Sequence, residues 1–263
     1  MQRLPTINLT NEDMEALFKT EPFAIGGESI IYKTTRDTLY KIFTDEEEAL
    51  LQYPFENKLL KLLLLHNLSP ALEHSVMPLG IIENSDFRFC GYEMTYDEDD
   101  QVLAGLELPF DERFAFLGQV SSILDYYKRI GITYGDVHSR NIFRNARTKR
   151  AKFGDMDNIQ IASTIFGKPI ELPMDACPDE LQFYWDERGK LDASADMYMF
   201  YLLVLEQMAY PNVPYNEILN EIKAGRYPQQ FHSSAYPLFD TLLSPKDFNP
   251  EPILQHAKRK IYF

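Results

Sequence analysis

The segment Tyr134-Gly135-Asp136-Val137-His138-Ser139-Arg140-Asn141 sets a carboxylate and an amide five residues apart, just after a stretch with helical periodicity. Fourteen residues beyond Asn141, Phe153-Gly154-Asp155-Met156-Asp157 brings further carboxylates behind a short apolar run. Phosphoryl transfer asks for such a set: one carboxylate to orient an attacking hydroxyl, and hard oxygen ligands to hold Mg2+ on the phosphates. A solvated loop aspartate accounts for Asp136 alone, and a turn accounts for Asn141 alone. Neither accounts for the two being followed by Asp155 behind a hydrophobic strand.

Residues so placed need elements to carry them. Residues 23–25, 30–34 and 39–43 are short, rich in aromatic and β-branched side chains and separated by turn formers, so they read as an antiparallel meander. Pro54 stands where a helix tolerates a missing N–H, and Phe55, Leu59, Leu62 and Leu63 then recur at helical spacing. Strand composition returns at 76–82 and 87–94, with Asn84-Ser85-Asp86 as the turn, which completes an expected five-stranded antiparallel sheet with one helix. Beyond the acidic stretch 96–100 the chain turns mostly helical. Leu117, Val120, Leu124 and Tyr127 repeat at steps of three and four, and Gly131 supplies a stop. Short strands are expected at 141–143 and 152–153, and helices at 195–208 and 215–224. The predicted organisation is α+β, with an N-terminal extension over 1–20, a first lobe over 21–95 and a second over 96–263.

Taken in order, these segments resemble the protein-kinase superfamily over about residues 20–260. Asp136 and Asn141 match the Asp and Asn of the catalytic loop, and Asp155 matches the metal-binding Asp of the DFG motif. Ala24-Ile25-Gly26-Gly27-Glu28-Ser29-Ile30-Ile31-Tyr32-Lys33 resembles the glycine-rich loop. Lys41, in Leu39-Tyr40-Lys41-Ile42-Phe43, falls on the third strand, where kinases place the lysine that contacts the phosphates. Glu56 is the candidate for its ion-pair partner, with Glu46, Glu47 and Glu48 as competitors. Cys177-Pro178-Asp179-Glu180-Leu181 resembles the end of an activation segment. Asp192-Ala193-Ser194-Ala195-Asp196-Met197-Tyr198 resembles the start of the central helix, with Asp196 capping the backbone of the catalytic loop.

The resemblance implies a bilobal kinase-like fold and an ATP- and Mg2+-dependent phosphotransferase of the protein Ser/Thr kinase type, with ATP bound between the lobes. Asp136 would be the base, with Lys41, Glu56 and His138 in supporting roles. Gly26, Gly27, Glu28, Ser29, Lys41 and Met94 would contact the nucleotide, and Asn141 and Asp155 would ligate the metal. His138 coincides with a position where antibiotic and choline-type kinases carry histidine; the competing reading is a simple loop histidine. Rival functions are a small-molecule kinase of the aminoglycoside or choline type, a nucleotide-binding pseudokinase, and a nucleotidyl transferase on the same fold.

Three departures modify the match. Ser29 stands for the third glycine of the loop. Tyr134-Gly135 stands for His-Arg, so no arginine is present there to read a phosphorylated activation segment. Asp157 takes the place of the DFG glycine, and a local structural role is expected for it. Asp97, Asp99 and Asp100 are read as a solvated charge run rather than a ribose site.

The totals bound the partners. A formal charge of −14 over 263 residues repels phosphate backbones, so no nucleic-acid partner is expected. The longest apolar run, 197–205, is far below a membrane span, and residues 1–10 lack the pattern of a secretory signal. Two distant cysteines, Cys90 and Cys177, argue against a disulfide framework. A cytoplasmic, monomeric protein acting on an unidentified protein substrate is expected.

Overall fold

A computed structural model of the chain describes residues 3–26, 29–34, 37–44, 54–68, 74–163, 170–172, 184–186, 193–229, 231, 233–245 and 248, with backbone only for 54–57, 163, 170–172, 193, 234 and 238. The fold mixes helices and strands and divides into two compact units. The first holds Met1–Asp100 with Asn145–Arg147 and Lys152–Asp157; the second holds Gln101–Arg144, Thr148–Ala151 and Asn158–Phe263.

The first unit is built on a six-stranded sheet. Its strands are β1 (Thr6–Asn8), β2 (Ala24–Ile25), β3 (Ser29–Lys33), β4 (Thr38–Phe43), β5 (Pro78–Glu83) and β6 (Phe89–Thr95), ordered β1-β5-β6-β4-β3-β2. Two helices belong to the same unit, α1 (Asn11–Phe18) and α2 (Pro54–Leu68). Side chains alternate across a strand, so Leu39, Lys41 and Phe43 of β4 share one face and Tyr40 and Ile42 the other. Leu39 and Phe43 join Leu62 of α2, Tyr92 and Met94 in one core cluster; Ile42 joins Met14 of α1, Tyr32, Ile82 and Cys90 in another. Lys41 therefore sits on the α2 face, between two core side chains. β6 approaches β4 closely at Gly91, where any Cβ would collide with the carbonyl oxygen of Lys41 and lie 3.2 Å from Cα of Ile42.

Two expectations are corrected here. The sheet has six strands, not five antiparallel ones, because Thr6–Asn8 pairs in parallel with β5, in register Thr6 with Ile81. Residues 1–20 are consequently part of the first unit rather than an extension. Leu4 and Met14 are buried in its core, and a capping box starts α1: the Asp13 N–H donates to Thr10 Oγ1 at 3.1 Å, and the Thr10 N–H returns to Asp13 Oδ2 at 2.9 Å.

After β7 (Asp100–Val102) the chain enters α3 (Phe110–Arg129), whose buried stripe is Phe116, Leu117, Val120, Ile123, Leu124 and Tyr127. Lys128 and Arg129 complement its C-terminal dipole, and Gly131 takes φ +76°, the left-handed conformation that ends the helix. Strands β8 (Ile132–Thr133), β11 (Gln160–Ser163) and β12 (Ile170–Leu172) form one small sheet in the order β12-β11-β8. β9 (Ile142–Asn145) and β10 (Ala151–Phe153) join β7 in another, ordered β10-β9-β7. α4 (Ala193–Met208) is apolar on nearly every side and buried from Ala195 to Leu203; α5 (Tyr215–Lys223) and the short α6 (Tyr236–Asp240) follow. No helix among the described residues is long and apolar enough to cross a membrane.

Candidate functional site

In the first unit, Lys41 is the centre of a buried charge cluster. Its ammonium donates to Asp155 Oδ1 and, at 2.8 Å, to Asp157 Oδ1. The Tyr92 hydroxyl donates to the same Asp157 oxygen at 3.0 Å, and Lys58 of α2 lies 3.3 Å from Asp157 Oδ2. The side chain of Asp157 is 2% exposed and that of Asp155 38%. Burial opposes the ammonium of Lys41, but the Asp157 charge, then Tyr92 and Asp155, outweigh it and hold the group well above the ordinary lysine range. Asp157 is likewise opposed by burial, yet Lys41 and then Lys58 hold it far below the usual carboxylate range. Asp155 goes the other way. Burial raises its carboxyl to about 6, with Lys41 pulling it down and the Asp157 charge pushing it up. Asp155 also occupies φ 46°, a left-handed conformation that aspartate tolerates better than most residues, with its backbone turning there from β10 into the 3-10 turn Met156–Asn158.

In the second unit, β8 delivers the chain into the loop that carries Asp136. Asn141 donates its amide nitrogen to Asp136 Oδ2 at 2.6 Å, which leaves the amide oxygen for another partner. His138 Nε2 lies 3.2 Å from Asp136 Oδ1, while its Nδ1 accepts the Arg140 N–H at 3.1 Å. An Nδ1 that accepts cannot carry a proton, so the neutral ring bears it on Nε2 and donates to Asp136. Both oxygens of Asp136 are thus oriented by loop neighbours. The loop itself hangs from Asp196 on the first turn of α4. That carboxylate is 1% exposed and accepts the Tyr134 N–H at 2.8 Å and the Gly135 N–H at 2.6 Å, the capping role expected for it. Gly135 sits at φ +78°, which a residue with a side chain adopts only under strain.

Beside this loop lies a cavity of about 550 Å³ whose wall includes His138, Ser139, Arg140, Pro214 and Tyr215. Glu206, near the C-terminal end of apolar α4, also lines it and accepts the Ser139 hydroxyl at 2.7 Å. Burial raises its carboxyl above the usual range, and the Ser139 and Tyr215 hydrogen bonds offset only part of that rise.

The remaining expectations fall as follows. The turn between β2 and β3 is closed by Gly26 N–H donating to Ser29 O at 2.8 Å, and Ser29 is buried opposite Phe43. Gly27, Glu28, Glu46, Glu47, Glu48, the side chain of Glu56 and Cys177-Pro178-Asp179-Glu180-Leu181 lie outside the described residues. Met94 is a core side chain, 6% exposed, whose strand position faces Leu39. The acidic stretch is partly exposed and also paired: Asp97 and Asp100 both accept from Asn145, at 2.9 and 2.8 Å, and Lys152 pairs with Asp100 at 2.6 Å. A buried asparagine and a lysine from downstream segments neutralise a cluster whose partners are distant in sequence. Lys58 and Tyr92 went unread in the sequence. The available signal was Lys58 and Lys61, three apart among the leucines of α2. Among the described residues no group of three or more His, Cys, Asp and Glu is placed to hold a metal by itself. Asn141 in the second unit and Asp155 in the first each offer an oxygen ligand, the donor type of Mg2+. A comparison of the chain with models of known protein families finds no match, and a comparison with curated protein sequences finds none either.

Proposed function

We propose that the chain is a kinase-like, ATP- and Mg2+-dependent phosphotransferase that moves the γ-phosphoryl group to a hydroxyl, most simply that of a protein serine or threonine. The observation that carries the reading is the Asp136 loop, in which a carboxylate is oriented through both oxygens by Asn141 and His138 and the backbone is fixed by the buried Asp196. A loop held this firmly around one carboxylate suits a group that must meet a hydroxyl proton at a set distance and angle. In this reading Asp136 accepts the acceptor's proton, and His138 keeps Asp136 aimed. Lys41 neutralises phosphate oxygens, and Gly26 and Ser29 form part of the turn over them. Asn141 and Asp155 are the residues that would hold Mg2+, which supplies charge neutralisation on the phosphates. The bilobal kinase architecture is part of this proposal; strands concentrated in one unit and long helices in the other support it. ATP as the substrate fits a cytosolic setting.

The cavity beside His138 favours a second reading, in which the acceptor is a small molecule, because about 550 Å³ lies within the range of ligand pockets. Incubation with γ-labelled ATP and Mg2+, offering a basic protein in one reaction and aminoglycosides or choline in another, separates the two. Label in protein supports the first and label in a small alcohol the second. Label in neither, with no ATP consumed, counts against both.

A further inference from the structure

The phosphotransferase reading, on which this inference rests, requires the ammonium on β4 to be held still against the phosphates. The group that holds it is as much part of the site as the ammonium itself. The sequence offers carboxylates on and before α2 for that task, Glu56 foremost. Among the described residues the structure presents another holder, Asp157.

Asp157 has its two oxygens allotted. Oδ1 receives Lys41 at 2.8 Å and the Tyr92 hydroxyl at 3.0 Å, and Oδ2 faces Lys58 at 3.3 Å. All three partners are buried, with Lys41 at 8%, Lys58 at 7% and Tyr92 at 3% exposure. Burial raises the Tyr92 phenol well above its ordinary range, so it remains a donor, and Lys58 is steadied over the Phe43 ring at 4.6 Å. Two ammoniums and two carboxylates balance in charge, and the three buried members of the charged set, Lys41, Lys58 and Asp157, depend on that pairing. Asp155 shares Lys41 but is the more exposed of the pair and the one open to a divalent cation.

We propose that Asp157 is the positioning residue of Lys41, locked in place by Tyr92 and Lys58, and that it does from the turn after β10 what a carboxylate on α2 would otherwise do. When a cation takes Asp155, Lys41 keeps its second carboxylate and its direction. The helix α2 joins the site through the Lys58 ammonium. The described residues that place the lysine, Asp157, Tyr92 and Lys58, all belong to one compact unit.

A double-mutant cycle on the full-length chain tests this, with the dissociation constant of Mg2+-ATP measured by calorimetry. Asp157→Asn should weaken binding roughly ten- to hundredfold, the span of one charge-assisted hydrogen bond. In a Lys41→Met background it should weaken binding no more than about twofold, because its effect passes through Lys41. Asp157→Glu should recover part of the loss. A purely structural aspartate would cost the same in both backgrounds. If Asp157→Asn fails to fold, the charge-balanced pair Asp157→Asn with Lys58→Met replaces it in the cycle. Additive losses, or a larger Lys41-coupled loss from Glu56→Gln than from Asp157→Asn, overturn the proposal alone. A wild-type chain that does not bind Mg2+-ATP overturns the phosphotransferase reading and the proposal with it.

Discussion

Replacing Asp196 by asparagine removes half of what holds the Asp136 loop. The carboxylate is 1% exposed and spends one oxygen on the Tyr134 N–H, at 2.8 Å, and the other on the Gly135 N–H, at 2.6 Å. Asparagine presents a single acceptor. Its NH2 group would meet the second N–H donor to donor, and the surviving bond would fall from charge-assisted to neutral. A lost charge-assisted bond contributes roughly 1.5–3 kcal/mol, and an orphaned buried N–H costs about 1–3 kcal/mol; release from burying a charge offsets part of this. The net loss is about 2–4 kcal/mol, which for a chain of this length lowers the unfolding midpoint by roughly 5–15 °C. Thermal unfolding followed by far-ultraviolet circular dichroism, with wild type alongside, measures it. A midpoint within about 2 °C of wild type would show that these two bonds do not hold the loop, and the positioning argument for Asp136 would lose its base.

Other expected outcomes follow from the same geometry. Asp155→Asn should weaken Mg2+-ATP binding and slow turnover together, since the metal carboxylate is lost; calorimetry paired with single-turnover rates checks this. Because the Asp155 carboxyl is raised from 3.8 to about 6, Mg2+-ATP affinity should climb as pH rises through 6 and level off above about 7, which titrations at several pH values measure. The same shift has a definite sign in stability. Between pH 4 and 6 the folded chain keeps a proton that the unfolded chain has released, so Asp155 makes stability fall as pH rises through that window. Asp157, held below 3.8, contributes stability above that value and loses it as pH drops beneath it. Tyr92→Phe deletes the buried hydroxyl 3.0 Å from Asp157 and should cost about 1 kcal/mol in urea unfolding. Gly91→Ala should be more damaging to the fold, because its Cβ meets the backbone of Lys41 and Ile42 rather than a side chain that can move; urea midpoints for the two variants give the comparison.

Periodicity and turn chemistry located the elements that carry the candidate site. Leu117, Val120, Leu124 and Tyr127 are all buried on α3, Pro54 opens α2, and Asn84 caps its turn by accepting the Asp86 and Arg88 N–H groups. Asp136 and Asn141 were legible because their contact spans five residues, whereas Asp196, which reaches the Tyr134 and Gly135 N–H groups from a distant helix, was legible only through the resemblance of its segment to a kinase helix. β1 escaped because three residues are too few to show a period, although the Thr10 to Asp13 capping box beside it was visible in the sequence. The pairings missed were distant ones that no family motif marks. Asp157 meets Lys41 and Lys58 across about a hundred residues, and Asp97 and Asp100 meet Asn145 and Lys152 across about fifty. A charge in a sequence carries no mark of which distant charge will neutralise it, so Asp157 read as local structure and the acidic stretch as solvated surface. Burial supplies the missing information, since a buried charge must find a partner.

The most direct measurement of the central claim is label transfer from ATP by wild type and by Asp136→Asn, run with the label first on the γ-phosphate and then on the α-phosphate. Wild type should transfer γ-label and no α-label in the presence of Mg2+. The Asp136→Asn chain should lose transfer by roughly a hundredfold or more while its dissociation constant for Mg2+-ATP stays within about threefold of wild type, because the base touches the acceptor hydroxyl and not the nucleotide. Transfer of α-label, or near-normal transfer by a folded Asp136→Asn chain, would contradict the account.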